Sequence, residues 1–408
     1  MQRKKVPTVS VVIPTYNRSK LLREALGSVL EQTYKDLEVI IVDDCSSEQA
    51  HLENAKTKEL DNRVRYMYRR KNGGVAAARN DGIQMARGRY VAFLDDDNVW
   101  SPQKLEKQVQ LISLDEDLAV VCSDIVYIDS KGKHLDQVSP VRSLFTSKTD
   151  LFKLYSGGRP WYRIGREKLY ETVLYGCVLP LANTALVKRK CLVNVGLFDE
   201  RLSGSEDWDL LIRLALCYHF GYIHEALAHV RVHSQHRITD NTKLMCESHI
   251  RLFDKIYRAV PDRLRGDFDA HAYQLYFASI SSFLIRGDFS AADKIYRAVP
   301  DRLRGDFDAH AYQLYFPIIS SFLIRGDFSA ADSIIYRLAL VCGFPTMLRI
   351  IVRLVVSSPL TAIQSIVRPA DEKGPKAAVS LAIRRSLRIA VKYRCFRKSS
   401  LFDGSNQS

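Results

Sequence analysis

Three apolar runs that each end in polar or acidic residues constrain this chain more than any other feature. TVSVVIPTYN starts at Thr8, LEVIIVDDCS at Leu37 and RYVAFLDDDN at Arg89. Largely apolar runs of this length, the first rich in β-branched residues, suit strands buried on both faces of a parallel sheet, where no side chain needs to alternate towards water. Between the first two runs Leu22, Leu26, Val29 and Leu30 recur at helical spacing, with Ser19 in position to cap the helix. Strand, helix and strand in that order make a βαβ unit. The pattern continues through a strand at VRYMYR, a turn at Asn72, Gly73 and Gly74, and a helix from Val75 to Ala86. Ligands of open α/β sheets bind beyond the carboxyl ends of the strands. Tyr16, Asp44 and the run Asp95, Asp96 and Asp97 all sit at such ends, so they are expected to converge on one crevice.

Downstream, LAVVCSDIVYID reads as a further strand, and the segment from Lys131 to Tyr175, rich in Ser, Gly, Arg and Tyr, reads as a long irregular and functional loop. A strand near LANTALVKR leads to GSEDWDLLIRLAL, a helix with acids in its first turn, and GYIHEALAHVRVH closes an α/β domain over 1–235. An all-α region over 236–335 should follow. It contains a tandem repeat with a period of 39 residues, 254–292 and 293–331, the copies differing only at Ala278 against Pro317 and Ser279 against Ile318. Each copy reads as a helical hairpin, a weak likeness to tetratricopeptide-type repeats that leaves open a partner-binding role or a plain extra helical layer. A basic amphipathic tail occupies 336–408, with thirteen Lys or Arg against three acids between Arg337 and Asp403.

With 408 residues the chain exceeds one ordinary core, and a composition of 47% hydrophobic and 26% charged residues excludes both a disordered chain and a polytopic membrane protein. Eight scattered cysteines with no CxxC read as reduced thiols. MQRKKVPTVS enters the first strand with no apolar stretch before it, which gives a cytoplasmic expectation. No window reaches the roughly 18 apolar residues of a membrane span.

The strand-end residues carry chemistry by type. Tyr16 offers a flat face for a nucleobase or a cover for the sheet edge, and Asp44 can accept a hydrogen bond from a ring N–H. Three consecutive carboxylates at 95–97 repel one another, and a divalent cation with a diphosphate offsets this. Arg79, on the helix after the Gly-Gly turn, reads equally as a donor contact or a surface ion-pair partner. Glu206 and Asp207 suit either a catalytic role or simple compensation of a helix dipole.

Taken in order, VSVVIPTYNR, EVIIVDDCS, NGGVAAARNDGI, YVAFLDDDN and GSEDWDLLIRLA resemble family 2 glycosyltransferases of the GT-A fold, over Val9 to His233. The resemblance implies a GT-A type, mostly parallel sheet with flanking helices. It maps Pro14, Thr15, Tyr16, Asn17 and Asp44 onto a nucleotide pocket, and Asp95 to Asp97 onto the DXD motif, with Asp97 a direct metal ligand and Asp95 and Asp96 on the donor or the metal shell. Arg79 falls among donor-contacting positions, Asp207 on the catalytic base, and His233, flanked by His229 and His236, on the metal shell. The function implied is inverting transfer from a nucleotide-sugar donor, UDP-sugar being the commonest type, with Mg²⁺ or Mn²⁺ as cofactor, to a glycan or lipid-linked acceptor in cell-envelope polysaccharide, lipopolysaccharide or glycoconjugate synthesis. The tail's aliphatic and basic residues suit an anionic membrane surface rather than nucleic acid, which makes the protein peripheral on the inner face of the membrane. A nicotinamide oxidoreductase would need GxGxxG after the first strand, where IPTYNR has no glycine. The alternative is a non-catalytic nucleotide-sugar-binding protein with a helical partner-binding region.

Overall fold

The computed structural model describes residues 6–147, 151–155, 159–232, 242–269 and 272. Every residue of β1 (Val9–Thr15) is buried, so that strand must lie inside a sheet with both faces covered. It pairs in parallel with β2 (Leu37–Asp43), Val9 beside Leu37 and Thr15 beside Asp43. On its other edge it meets β4 (Tyr90–Phe93), with Val12 beside Phe93. β3 (Val64–Tyr68) extends the parallel half beyond β2. The crossover helices are α1 (Ser19–Leu30), α2 (Glu48–Ala55) and α3 (Gly74–Met85). Leu22, Ala25, Leu26 and Val29 form the buried stripe of α1. Ser19 is the first helical residue rather than the cap; its hydroxyl reaches the Ala50 carbonyl at 3.5 Å instead of the helix's own N–H groups.

Past β4 the sheet changes direction. Short β5 (Val99–Trp100) and α4 (Lys104–Leu114) lead to β6 (Leu118–Ile128), α5 (Pro140–Ser147), the hairpin of β7 (Phe152–Leu154) and β8 (Trp161–Ile164), then α6 (Arg166–Val173) and α7 (Leu181–Thr184). After these come β9 (Leu186–Lys188), α8 (Arg189–Val195), α9 (Glu206–Cys217), β10 (His219–Arg231) and α10 (Thr242–Tyr257). The strand order is β3-β2-β1-β4-β9-β6-β10-β8-β7, with β5 pairing to β10 off this path. β9 runs antiparallel between β4 and β6, β6 and β10 are parallel, and the edge hairpin is antiparallel. The expected mostly parallel sheet is therefore a mixed one, because β9 enters from the short turn of α7 rather than from a crossover helix. The segment 131–175, expected to be irregular, carries α5, the edge hairpin and α6.

Contacts divide the chain into two units, Met1–Leu264 and Arg265–Ser408. The first extends beyond the 1–235 expected for the catalytic region because α10 packs on α9: Trp208 meets His249 and Phe253 edge-on, at ring centroid distances of 5.5 and 5.7 Å. Most of the tandem repeat and the whole basic tail lie outside the described residues, as do His233 and His236. Among the described residues no helix is long and apolar enough to cross a membrane.

The core packs without slack where α3 crosses β1. A Cβ on Gly82 would fall 2.3 Å from Val12 Cγ1 and 2.9 Å from Cγ2, and Val12 has no accessible surface into which to move. Alanine gains about 1 kcal/mol of helix propensity over glycine, but overpacking a tight core costs about 1–3 kcal/mol. Gly82→Ala is expected to lower the thermal midpoint, and Val12→Ala in the same chain should recover part of the loss. A rise in midpoint for Gly82→Ala alone would contradict this packing.

Candidate active site

The register of the parallel strands assembles one end of the site. With Val12 beside Phe93, Thr15 lies across from Asp96, and its hydroxyl donates to Asp96 Oδ2 at 2.7 Å. Asn17 takes a left-handed backbone, φ 55°, and ties the β1 and β2 turns together: its N–H donates to Ser46 Oγ and its Oδ1 accepts from the Ser47 N–H, both at 2.8 Å. Tyr16 stands at this corner with 49% of its surface exposed, while Pro14 and Thr15 are buried behind it.

Adjacent acids at the end of β2 have separate partners. Asp43 accepts from the Ser46 N–H, Asn54 Nδ2 and the Tyr66 hydroxyl, each at 2.8 Å, and so shapes the loop into α2. Asp44 pairs with Arg69 and accepts from the N–H groups of Gly73 and Gly74 at 3.0 and 2.7 Å, which seats the start of α3. Those bonds use three of the carboxylate's roughly four acceptor sites, and the one left is on Oδ2.

At 95–97 the acids are held by two arginines. Arg18 reaches Asp96 at 3.2 Å and Asp97 at 2.8 Å while 33% of its own side chain remains exposed. Arg79 is almost wholly buried, with Nη2 2.7 Å from Asp95 and Nη1 2.8 Å from Glu206. Burial works against the Arg79 charge, but Asp95 and Glu206 outweigh it and raise the pKa. Of the two roles read for Arg79, a surface ion pair is thus overturned, since helix position alone could not show that α3 turns this residue inward. Burial, with Asp97 and Asp95 nearby, pushes Asp96 up to about 7 against the pull of Thr15 and Arg18.

Asp207 lies beside this network on the first turn of α9. Its Oδ1 accepts from the Trp208 N–H at 2.8 Å, and Cys177 Sγ stands 3.9 Å from Oδ2. Burial first, then the charge of Glu206, raise Asp207 to about 6, while Arg79 opposes the rise. A helix N-terminus alone would lower a carboxyl pKa, so this is the offset a base working near neutrality needs. Arg79 thereby joins Asp95, Glu206 and Asp207 in one charge cluster, although 112 residues separate Asp95 from Asp207 in the sequence.

Arg231, passed over in the sequence, fixes the acidic turn from the end of β10. Its Nε donates to the Asp97 carbonyl at 3.0 Å, its N–H to Asn98 Oδ1 at 2.8 Å, and Nη2 pairs with Glu24 at 2.9 Å. Its signal in the sequence is its place, two positions before His233 at the end of an apolar run. His229 bonds Ser101 at 3.1 Å and lies beside His134. Among the described residues no group of three or more His, Cys, Asp or Glu is arranged to hold a metal.

Comparison with known proteins gives the class. A model of glycosyl transferase family 2 matches residues 10–174. The chain is 31% identical over 239 residues to a glycosyltransferase of Rickettsia prowazekii, covering 58% of this chain and 67% of that one. TuaG of Bacillus subtilis, named for teichuronic acid biosynthesis, is 42% identical over 106 residues, 26% of this chain and 42% of that protein. S. aureus TarS 1-349, crystallised in complex with UDP-GlcNAc, shares the fold at 20% identity with a TM-score of 0.53, covering 73% of this chain and 83% of that one. Across the first Rickettsia relatives the chain spans between 27% and 67% of their length. This chain belongs to glycosyl transferase family 2, and its first unit has a GT-A-like α/β fold.

Asp207 is expected to titrate near pH 6, and Glu206→Gln to lower that midpoint, because removing a neighbouring negative charge makes ionisation easier. Carbon NMR of aspartate labelled at the carboxyl group reads both. A wild-type midpoint near 4, or an upward shift in the variant, would contradict the arrangement.

Proposed function

We propose that this chain is a metal-dependent, inverting glycosyltransferase that moves a sugar from a nucleoside-diphosphate sugar, UDP-sugar first among the candidates, to an acceptor hydroxyl. The observation that carries this reading is Asp207: a carboxyl raised to about 6 and joined through Arg79 to the acidic turn. Ionised at neutral pH, it can take the acceptor's proton. In this reading Tyr16 covers the nucleobase, Asp44 accepts a ring N–H with its remaining Oδ2 site, and Pro14, Thr15 and Asn17 shape the pocket wall. Asp95 and Asp96 hold the donor's ribose, sugar or metal shell, and Arg79 acts on the donor by holding Asp95.

The carboxylates of Asp95 and Asp97 have the hard-oxygen chemistry of a Mg²⁺ or Mn²⁺ site, with 29% and 17% of their side chains exposed. Asp97 and Asp95, with His233 from outside the described residues, would hold that ion. Bound there, it would offset the charge of the diphosphate leaving group.

The teichuronic acid biosynthesis for which TuaG is named supports an acceptor in cell-envelope polysaccharide or glycoconjugate synthesis, glycan or lipid-linked. The basic tail from 336 would attach the protein to an anionic membrane on the cytoplasmic side. Chain cut before Leu338 should then float with anionic vesicles at low salt less than full-length chain does; equal flotation would sink the attachment.

Asp207→Asn keeps the size of the side chain but cannot accept a proton, so transfer is expected to fall by about 10² to 10⁴. Wild-type kcat/KM should fall as pH drops through about 6, where Asp207 becomes protonated. Isothermal titration of UDP with Mn²⁺ should give similar affinity for wild type and Asp207→Asn. The heat should disappear in excess EDTA and in Asp97→Ala. Near wild-type transfer by Asp207→Asn would remove the base assignment, and unchanged binding in EDTA would remove the cation.

A further inference from the structure

The antiparallel pairing of β4 with β9 sets Tyr90 beside Lys188, Val91 beside Val187 and Ala92 beside Leu186. Continued three residues past the ladder, that register brings Asp95 opposite Asn183, at the end of β4 on one side and in α7 on the other. The contact is two-pronged. The Asp95 N–H donates to Asn183 Oδ1 at 3.1 Å, and Asn183 Nδ2 donates to Asp95 Oδ2 at 2.8 Å. Only a side chain with a donor and an acceptor side by side can meet a backbone N–H and a carboxylate together, which also fixes which way round the amide lies.

Everything around Asn183 holds it still. Trp100 Nε1 donates to its backbone carbonyl at 2.9 Å. Gln108, from α4, donates to the next carbonyl, that of Thr184, at 2.6 Å and to the Val121 carbonyl at 2.8 Å. Lys104 lies over the Trp100 ring at 3.9 Å and donates to Gln108 Oε1 at 2.8 Å. Asn183 itself is only 6% exposed. Asp95 is thereby gripped on Oδ2 by Asn183 and on Oδ1 by Arg79, yet 29% of its side chain remains exposed. A carboxylate held on both oxygens and still open offers its remaining acceptor sites in one fixed orientation.

We propose that Asn183 is a positioning residue for the donor: its carboxamide fixes the orientation in which Asp95 meets the nucleotide-sugar. This rests on the proposed donor role of Asp95. Asn183 does not touch the reacting atoms, and its effect is read in donor affinity rather than in the transfer step.

The test uses full-length chain and isothermal titration of UDP with Mn²⁺, with GDP and dTDP run in parallel. Asn183→Ala is expected to weaken the nucleotide that wild type binds about tenfold, as loss of a hydrogen bond to a charged group does. In transfer assays the donor KM should rise by a similar factor, with kcat at saturating donor changed less than about threefold. Asn183→Asp keeps the shape but replaces the donating amide with a second carboxylate, so it should weaken binding at least as much and serves if the alanine variant fails to fold. Trp100→Phe removes the bond to the Asn183 backbone and half of the ring beneath Lys104 but leaves the Asn183 carboxamide, and is expected to lower the thermal midpoint while leaving affinity within about twofold. Wild-type affinity in folded Asn183→Ala or Asn183→Asp would overturn the positioning role, and so would equal losses in Trp100→Phe, which would mark Asn183 as scaffold. Failure of wild-type chain to bind any of the three nucleotides would instead overturn the donor reading beneath it.

Discussion

A single buried guanidinium, that of Arg79, is the interaction on which the site depends. It touches Asp95 on one side and Glu206 on the other, and its charge also weighs on Asp207. Replacing a buried ion pair with apolar residues can be harmless, but removing one partner of such a pair typically costs about 3–5 kcal/mol because a charge is left without compensation. Arg79 is therefore a structural requirement for having the three carboxylates of Asp95, Glu206 and Asp207 in so small a space. The guanidinium is suited to this: it keeps its charge despite burial and presents two separate N–H edges to two carboxylates at once. Its Nε finds no partner among the described groups, and the ring of Phe198 lies 5.3 Å from the guanidinium carbon.

Much of this was legible in the residues because local pattern and global fold agree. β1, β2 and β4 were marked by largely apolar runs, and their ends by the abrupt change to polar residues, so the convergence of Thr15, Asp44 and Asp96 follows from strand order. The direction of β9 was not legible. Three residues, Leu186–Lys188, are too few for a period to show, and their antiparallel course is set by neighbours on both sides. The same shortness hid Asn183, whose role comes from a register with a strand about ninety residues earlier and from no motif. The segment 131–175 looked irregular because its strands are short and lie at the sheet edge, where β7 buries only Phe152.

Charges misled in a different way. Arg79 sits in GVAAARNDGI, a helix with little amphipathic contrast, so nothing in the spacing says which residues face inward. Alanines and glycine give α3 a smooth surface that lets it lie close on β1, and that closeness leaves an arginine on the same helix with nowhere to go but among the acids at the strand ends. Asp43 and Asp44 show the converse. Adjacent acids at a strand end repel each other, and the protein offsets much of that charge itself, with Tyr66, Asn54 and Arg69.

Arg18 and Arg79 differ in a way that separates what is fixed from what a ligand can replace. The Arg79 side chain is 4% exposed and its pair with Glu206 lies away from water, whereas Arg18 keeps 33% of its side chain exposed while bridging Asp96 and Asp97. Ion pairs open to solvent contribute only about 0–1 kcal/mol, so exchanging the Arg18 contact for another cation costs the fold little. Breaking the Arg79 contacts would leave the buried Glu206 without its cation and Asp95 held by Asn183 alone. Under the proposed metal-dependent reading a cation at the acidic turn would compete with Arg18, while Arg79 and Asn183 keep Asp95 in place. That division gives the three adjacent carboxylates different partners: one is held from two sides by buried groups, one is desolvated against Thr15 and raised to about 7, and Asp97 shares the more exposed arginine.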